Sequence, residues 1–185
     1  MNKVLQTIAN RRSSRSFRAE QIQEKELQAI LAAGLQAPSG HNDQSWYFAV
    51  VQNRELIDEI SAGCKQEMQK AAMDWMAELG RNQKYHIFYH APTVIIVAAH
   101  KKAISPLPDV SAAIQNMLIA AESLDIGSCW MGFAAFYFNS PERYQKLGIP
   151  DGYKVHYGVA LGYKPEKVTL APPLRKRDTY FHIIR

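Results

Sequence analysis

Apolar residues along the chain follow two periods, and the switch between them lays out the elements. Val4, Leu5 and Ile8 give a short apolar face to an amphipathic opening, Met1–Ala9. Gln21–Leu35 predicts a clearer helix, with Ile22, Leu27, Ile30, Leu31 and Leu35 in one stripe and Gly34 and Pro38 as stop signals. The aromatic and β-branched run Trp46–Val51 predicts a strand. Arg54–Gly80 reads as helical throughout, broken into two helices near Ser61–Gly63, and Pro92–Ala99 as a buried strand. Ile104–Pro108 is a loop carrying two prolines, after which Asp109 stands where a helix N-cap is expected. Val110, Ile114, Met117, Leu118, Ala121 and Leu124 then share one helical face. Turn residues Asp125 and Gly127 precede a third strand, Ser128–Phe133, and Pro141–Leu147 is a short helix ended by Gly148. Alternation of Val155, Tyr157, Val159 and Leu161 marks a fourth strand over Lys154–Gly162. Strands and helices mix without regular β-α alternation, which is an α+β pattern.

Composition narrows the class. With 47% hydrophobic and 21% charged residues, the 185-residue chain is built to fold as one domain, 1–185, with no linker or repeat. The net charge of +5 suits an anionic partner: a nucleotide, a phosphate cofactor or nucleic acid. Much of the positive charge sits at the two ends, in Arg11–Arg18 and in Arg175-Lys176-Arg177. Two cysteines, Cys64 and Cys129, make no disulfide framework, so a reducing compartment is expected. No signal-peptide core opens the chain, and the apolar run Thr93–Ala99 is far too short to span a bilayer. The expectation is a cytoplasmic protein, in contact with neither membrane nor nucleic acid, since no nucleic-acid motif accompanies the basic residues.

The chemistry concentrates in Arg11-Arg12-Ser13-Ser14-Arg15-Ser16-Phe17, three arginines and three hydroxyls in seven residues. A guanidinium is a planar fork of donors suited to phosphate, although a basic run alone is also an ordinary solvated turn. Three further stretches follow in order: Ala37-Pro38-Ser39-Gly40-His41-Asn42-Asp43-Gln44-Ser45-Trp46, Gly127-Ser128-Cys129-Trp130-Met131-Gly132-Phe133, and Gly148–Tyr153 with Ala160–Tyr163. Together, over essentially the whole chain, they resemble the FMN-dependent nitroreductase family. The resemblance implies an α+β fold with a central, mostly antiparallel sheet flanked by helices. It also implies an intertwined homodimer with FMN at the interface, and a tail, 164–185, that crosses to extend the partner's sheet.

Carried over by position, Arg11 and Ser13 hold the FMN phosphate, with Arg12 assisting. Arg15 matches the cation beside the flavin N1 and C2 carbonyl. Pro38, Ser39, Gly40 and Asn42 match the loop laid on the cofactor by the partner subunit. Trp130, Met131 and Gly132 match the strand end whose backbone nears the flavin N5 edge. Arg175, or else Lys176, is the tail's basic residue for the phosphate. The family loop usually ends Gln-Pro-Trp, whereas this chain reads Gln44-Ser45-Trp46, which frees one φ angle and restores one backbone N–H. The implied reaction passes hydride from NADPH or NADH through flavin N5 to a nitroaromatic, quinone or similar electron-poor acceptor in a ping-pong cycle. The protein supplies position and field, and Arg15 is the one residue assigned a catalytic part. A specialised flavoenzyme of the same fold (dehalogenase-like or oxidase-like) and a non-catalytic flavin binder are the alternatives.

Other residues have plainer readings. Cys129 reads as a compact apolar filler before it reads as a redox group. His86 and His90, four apart, have a metal-like spacing on a helix but no third ligand in sequence, and no metal is expected. Trp75, Met76, Tyr85 and Phe88 either roof a substrate cavity or pack in the core.

Overall fold

A computed structural model describes residues 2–166 and 183–184. Arg175 and Lys176, and most of the tail expected to cross to a partner, lie outside the described residues. Four strands, β1 (Trp46–Val51), β2 (Thr93–His100), β3 (Ile126–Met131) and β4 (Tyr153–Tyr163), form one sheet in the order β1-β2-β4-β3, every pair antiparallel. Between β2 and β4 the register shifts after Val97, so His156 has no partner opposite it.

Helices cover both faces of this sheet, and that is why β2 is an unbroken apolar run rather than an alternating one. Its Val94, Ile96 and Ala98 enter one core with α3 (Arg54–Met68) and α4 (Asp74–Arg81), while Ile95, Val97 and Ala99 enter the other with α2 (Glu24–Leu35) and α5 (Pro106–Ser123). The two remaining α-helices among the described residues, α1 (Lys3–Asn10) and α6 (Pro141–Gln145), contribute no buried residue of their own. Val110, Ile114, Met117, Leu118 and Ala121 of α5 are buried as the stripe requires, and Leu124 lies just past the helix end.

Several boundaries fall elsewhere than the pattern predicts, each for a tertiary reason. Helix α2 starts at Glu24, because the Gln21 amide is drawn away to the Pro92 carbonyl (2.7 Å) and the Thr93 hydroxyl (2.6 Å). The Glu26 carboxylate then closes the first turn by accepting the Gln23 N–H at 2.8 Å. Helix α3 runs straight through Ser61–Gly63 and stops at Met68. Gly63 is no breaker: a Cβ there would run into the Tyr137 ring, so the glycine serves close approach. Helix α5 begins at Pro106, with both prolines inside the first turn, where an absent N–H costs nothing. Strand β3 begins at Ile126 and ends at Met131, followed by a 3-10 segment, Gly132–Tyr137. Asp125 carries the left-handed turn (φ 57°), leaving Gly127 within the strand.

Candidate functional site

The arginine cluster is a strap on the outer edge of β3. Past α1, the Ser14 N–H donates to the Ser128 carbonyl at 2.9 Å, Ser13 and Ser128 form a parallel bridge, and the Arg18 N–H reaches the Tyr163 carbonyl at 3.0 Å. Gly127 and Gly162, opposite one another in β3 and β4, give the strap its flat bed. A Cβ on Gly127 would sit 2.9 Å from the Ser14 hydroxyl, and one on Gly162 3.1 Å from the Phe17 ring. In extended chain, side chains alternate in direction. Ser14 accordingly turns inward, 3% exposed, while half-buried Arg11 and Ser13 and exposed Arg15 share the other side. All three bear on Cys129, whose thiol is pushed up by burial against the pull of Arg15, Ser13 and Arg11. Arg12 turns back instead: its Nη1 donates to the carbonyls of Ala9 (2.6 Å) and Arg11 (2.8 Å). Its buried Nε has no hydrogen-bond partner among the described residues.

Next to this strap, β3 ends in half-buried Trp130 and buried Met131, and exposed Gly132 follows, with nothing among the described residues within 4 Å of the space a Gly132 side chain would take. Trp130 meets the Tyr157 ring edge-on at 5.1 Å. Beyond Gly132, Phe133 stands between exposed Trp75 (ring centroids 6.3 Å apart) and Phe136 (6.2 Å). A cavity of about 490 Å³ opens between Arg15 and the 84–90 turn, with Tyr85 and Tyr89 in its wall. The Arg15 guanidinium lies 6.0 Å from the Tyr89 ring centroid. Burial pushes the Tyr85 hydroxyl well up, keeping it a neutral donor. Of the four residues read as roof or core, Met76 and Phe88 are core; Trp75 is exposed and Tyr85 lines the cavity.

The second motif is a tight loop before β1. His41, Asn42 and Gln44 all take left-handed conformations (φ 52°, 58° and 46°), which costs non-glycine residues about 1–3 kcal/mol each. Side-chain acceptors hold it: Ser39 Oγ takes the Gln44 N–H at 2.9 Å and Asp43 Oδ2 the Ile104 N–H at 3.3 Å. Asp109 takes the Gly40 N–H at 3.0 Å on one oxygen and the Ser45 hydroxyl at 2.8 Å on the other. Asp109 is therefore not the N-cap; Ser105 occupies that position, and the carboxylate, 2% exposed, turns to the loop. Neither Asp109 nor Ser45 stands out in sequence as a site residue, because each is defined by the other.

Pro38, Ser39, Gly40 and Asn42 are not brought to Arg11, Ser13 and Arg15 within one chain. The strap lies beyond β3 and the loop enters β1 at the opposite edge, four strand spacings or roughly 19 Å across. The two also face opposite ends of the strands, since Ser128 aligns with Leu161 and Thr93 whereas the Ser45 carbonyl accepts from His100 N–H.

Asp58, His86 and His90 offer ligand-type atoms within 4.8 Å of one another. The two histidines sit in a turn, not on a helix. His86 Nδ1 accepts the N–H groups of Phe88 (3.1 Å) and His90 (3.2 Å), so its proton is on Nε2, which faces Asp58 Oδ1 at 3.1 Å. A ligating histidine holds its proton on the other nitrogen and donates it outward. The arrangement locks a turn.

The fold and the motifs agree with known proteins. The sequence profile of the nitroreductase family matches residues 8–163. A crystal structure of a nitroreductase with bound FMN from Bacteroides fragilis superposes with a TM-score of 0.91 at 37% identity, covering 99% of this chain and 100% of that one. A nitroreductase with bound FMN from Desulfitobacterium hafniense gives 0.87 at 31% identity, covering 98% and 100%. An Archaeoglobus fulgidus protein, provisionally named NADH dehydrogenase/NAD(P)H nitroreductase, is 33% identical over 174 residues, 90% of this chain and 89% of its own. With strap, open strand end and strained loop each where its motif falls, the chain belongs to the nitroreductase family.

Proposed function

We propose that this protein is an FMN-dependent NAD(P)H oxidoreductase that reduces nitroaromatic, quinone or similar electron-poor acceptors in a ping-pong cycle. The observation that carries the reading is the alternation of the strap, which sets Arg11, Ser13 and Arg15 on one side along β3, the strand that leads into the exposed backbone of Gly132. The donor set fits a phosphate monoester attached to a flat heterocycle: forked cations and a hydroxyl at one end, a further cation and bare backbone at the other. Arg11 and Ser13 bind the phosphate, and the Arg12 Nε, without a partner among the described residues, is a spare donor. When bound, FMN supplies the hydride chemistry at N5. Arg15 stabilises negative charge on the ring's pyrimidine edge from a fixed position. Trp75 and Phe133 give a planar acceptor an aromatic wall near Gly132.

Since strap and loop lie at opposite edges of the sheet, a site that uses both takes them from two copies. A homodimer supplies this, and the exposed Val4, Leu5 and Ile8 on α1, with Leu35, Ile104 and Leu107 near α2 and α5, give it apolar surface to bury. Among the described residues no helix is long and apolar enough to cross a membrane.

An absorbance spectrum of purified protein followed by anaerobic NADPH or NADH is the test. Flavin bands that bleach with donor and return with a nitroaromatic or quinone are expected. Bands that never bleach would leave a flavin binder without this activity, and protein that cannot be loaded with FMN would sink the reading.

A further inference from the structure

We propose that Asp109 is a positioning residue for the cofactor pocket, its buried carboxylate tethering both ends of the 40–45 loop. The proposal rests on the reading of that loop as one wall of an FMN site. Two oxygens meet two donors, the Gly40 N–H and the Ser45 hydroxyl, and three of the residues between those anchors, His41, Asn42 and Gln44, are in left-handed backbone. No lysine or arginine pairs with Asp109 among the described residues. A carboxylate buried without a cation is costly unless its hydrogen bonds are good, and starting a helix requires no such burial. The first turn of α5 offsets part of that cost through its unpaired N–H groups.

The partners are shaped for the tether. Gly40 has room for no side chain, since a Cβ would lie 2.9 Å from the Ser105 hydroxyl, and so its N–H can close on Asp109. Ser45 stands where the family resemblance expects proline, a residue with neither hydroxyl nor N–H. In this chain a side-chain bond to α5 limits the loop's exit into β1. A strained loop persists only when its surroundings over-determine it, and Asp109 supplies two of the restraints.

Apo-protein of the wild type, Asp109→Ala, Asp109→Asn and Ser45→Ala would be titrated with FMN. Flavin fluorescence gives Kd, visible circular dichroism reports the seating of the bound ring, and melting of the apo form reports stability separately. Asp109→Ala should weaken FMN binding by about ten- to a hundredfold and change the dichroism, as expected when charge-assisted hydrogen bonds are lost. Asp109→Asn should stay within about threefold of wild type, because its amide oxygen accepts from Gly40 while its NH₂ donates to a turned Ser45 hydroxyl. Ser45→Ala should fall between, with apo melting lowered less than in Asp109→Ala. Wild-type Kd and dichroism in both Asp109→Ala and Ser45→Ala would overturn the proposal, however their melting changes. Should Asp109→Ala fail to fold, Ser45→Ala decides alone. A wild-type protein that takes up no FMN would overturn the FMN reading itself, and this inference with it.

Discussion

At the scale of single residues, direction matters more than identity. Arg12 and Arg15 are the same side chain three positions apart. One is folded back on the carbonyls ending α1, while the other stands free over Tyr89 beside a cavity. Arg15→Ala is expected to lower kcat/KM for NAD(P)H by about a hundredfold, the usual effect of losing one fixed donor at a developing charge. Arg15→Lys should recover part of it, and steady-state kinetics of the FMN-loaded variants would decide. His86 makes a prediction of the opposite kind, on stability. Burial and the neighbouring His90 hold its pKa below the ordinary histidine value, with Asp58 pulling the other way. Protons therefore bind more readily in the unfolded chain. The group's contribution is full above the unfolded value of about 6.5 and declines as the pH falls below it. The melting temperature of the wild type should drop more steeply between about pH 7.5 and 5 than that of His86→Asn, whose side-chain oxygen can still accept the two backbone N–H groups. Arg11, Ser13 and Arg15 were named in sequence through the family motif alone; that they share one side follows from the extended strap, which the basic run did not announce. Asp109 and Ser45 were not legible: they meet across 64 positions, and an aspartate near a helix start reads as a cap.

Elements were legible in type and less so at their ends. Periodicity found α2, α5 and β4, and apolar runs rich in aromatic and β-branched residues found β1 and β2, but neither signal says which glycine marks a turn and which a contact. Gly63 and Gly127 both read as punctuation, yet one lies mid-helix under Tyr137 and the other mid-strand under Ser14. Gly63→Ala should destabilise the fold by about 1–3 kcal/mol through overpacking, measured by urea unfolding, although alanine is the better helix former. Gly127→Ala should displace the strap, so FMN affinity is expected to fall more than stability does. Ile96→Ala, in a fully buried site on β2, is expected to cost about 2–5 kcal/mol.

At the scale of the molecule, the separation of strap and loop predicts complementation. A chain with Arg15→Ala and a chain with Asn42→Ala should each be poorly active alone. Unfolded together and refolded as an equal mixture, half the dimers are hybrids, and each hybrid has one site with both defects and one with neither. Activity near roughly a quarter of wild type is expected if strap and loop come from different copies. Activity no higher than that of the separate variants would place both in one chain. The two cysteines offer a further view of this architecture. Cys64 is sealed in the core of α3, its thiol pushed up to about 12 by burial, and Cys129 is 4% exposed beneath the arginine strap. Neither can be alkylated until something opens, and they sit under different doors. In native buffer, the labelling rate of Cys129 times the lifting of the strap, while that of Cys64 times the loosening of the core: two clocks already in the chain, which FMN should slow by different amounts.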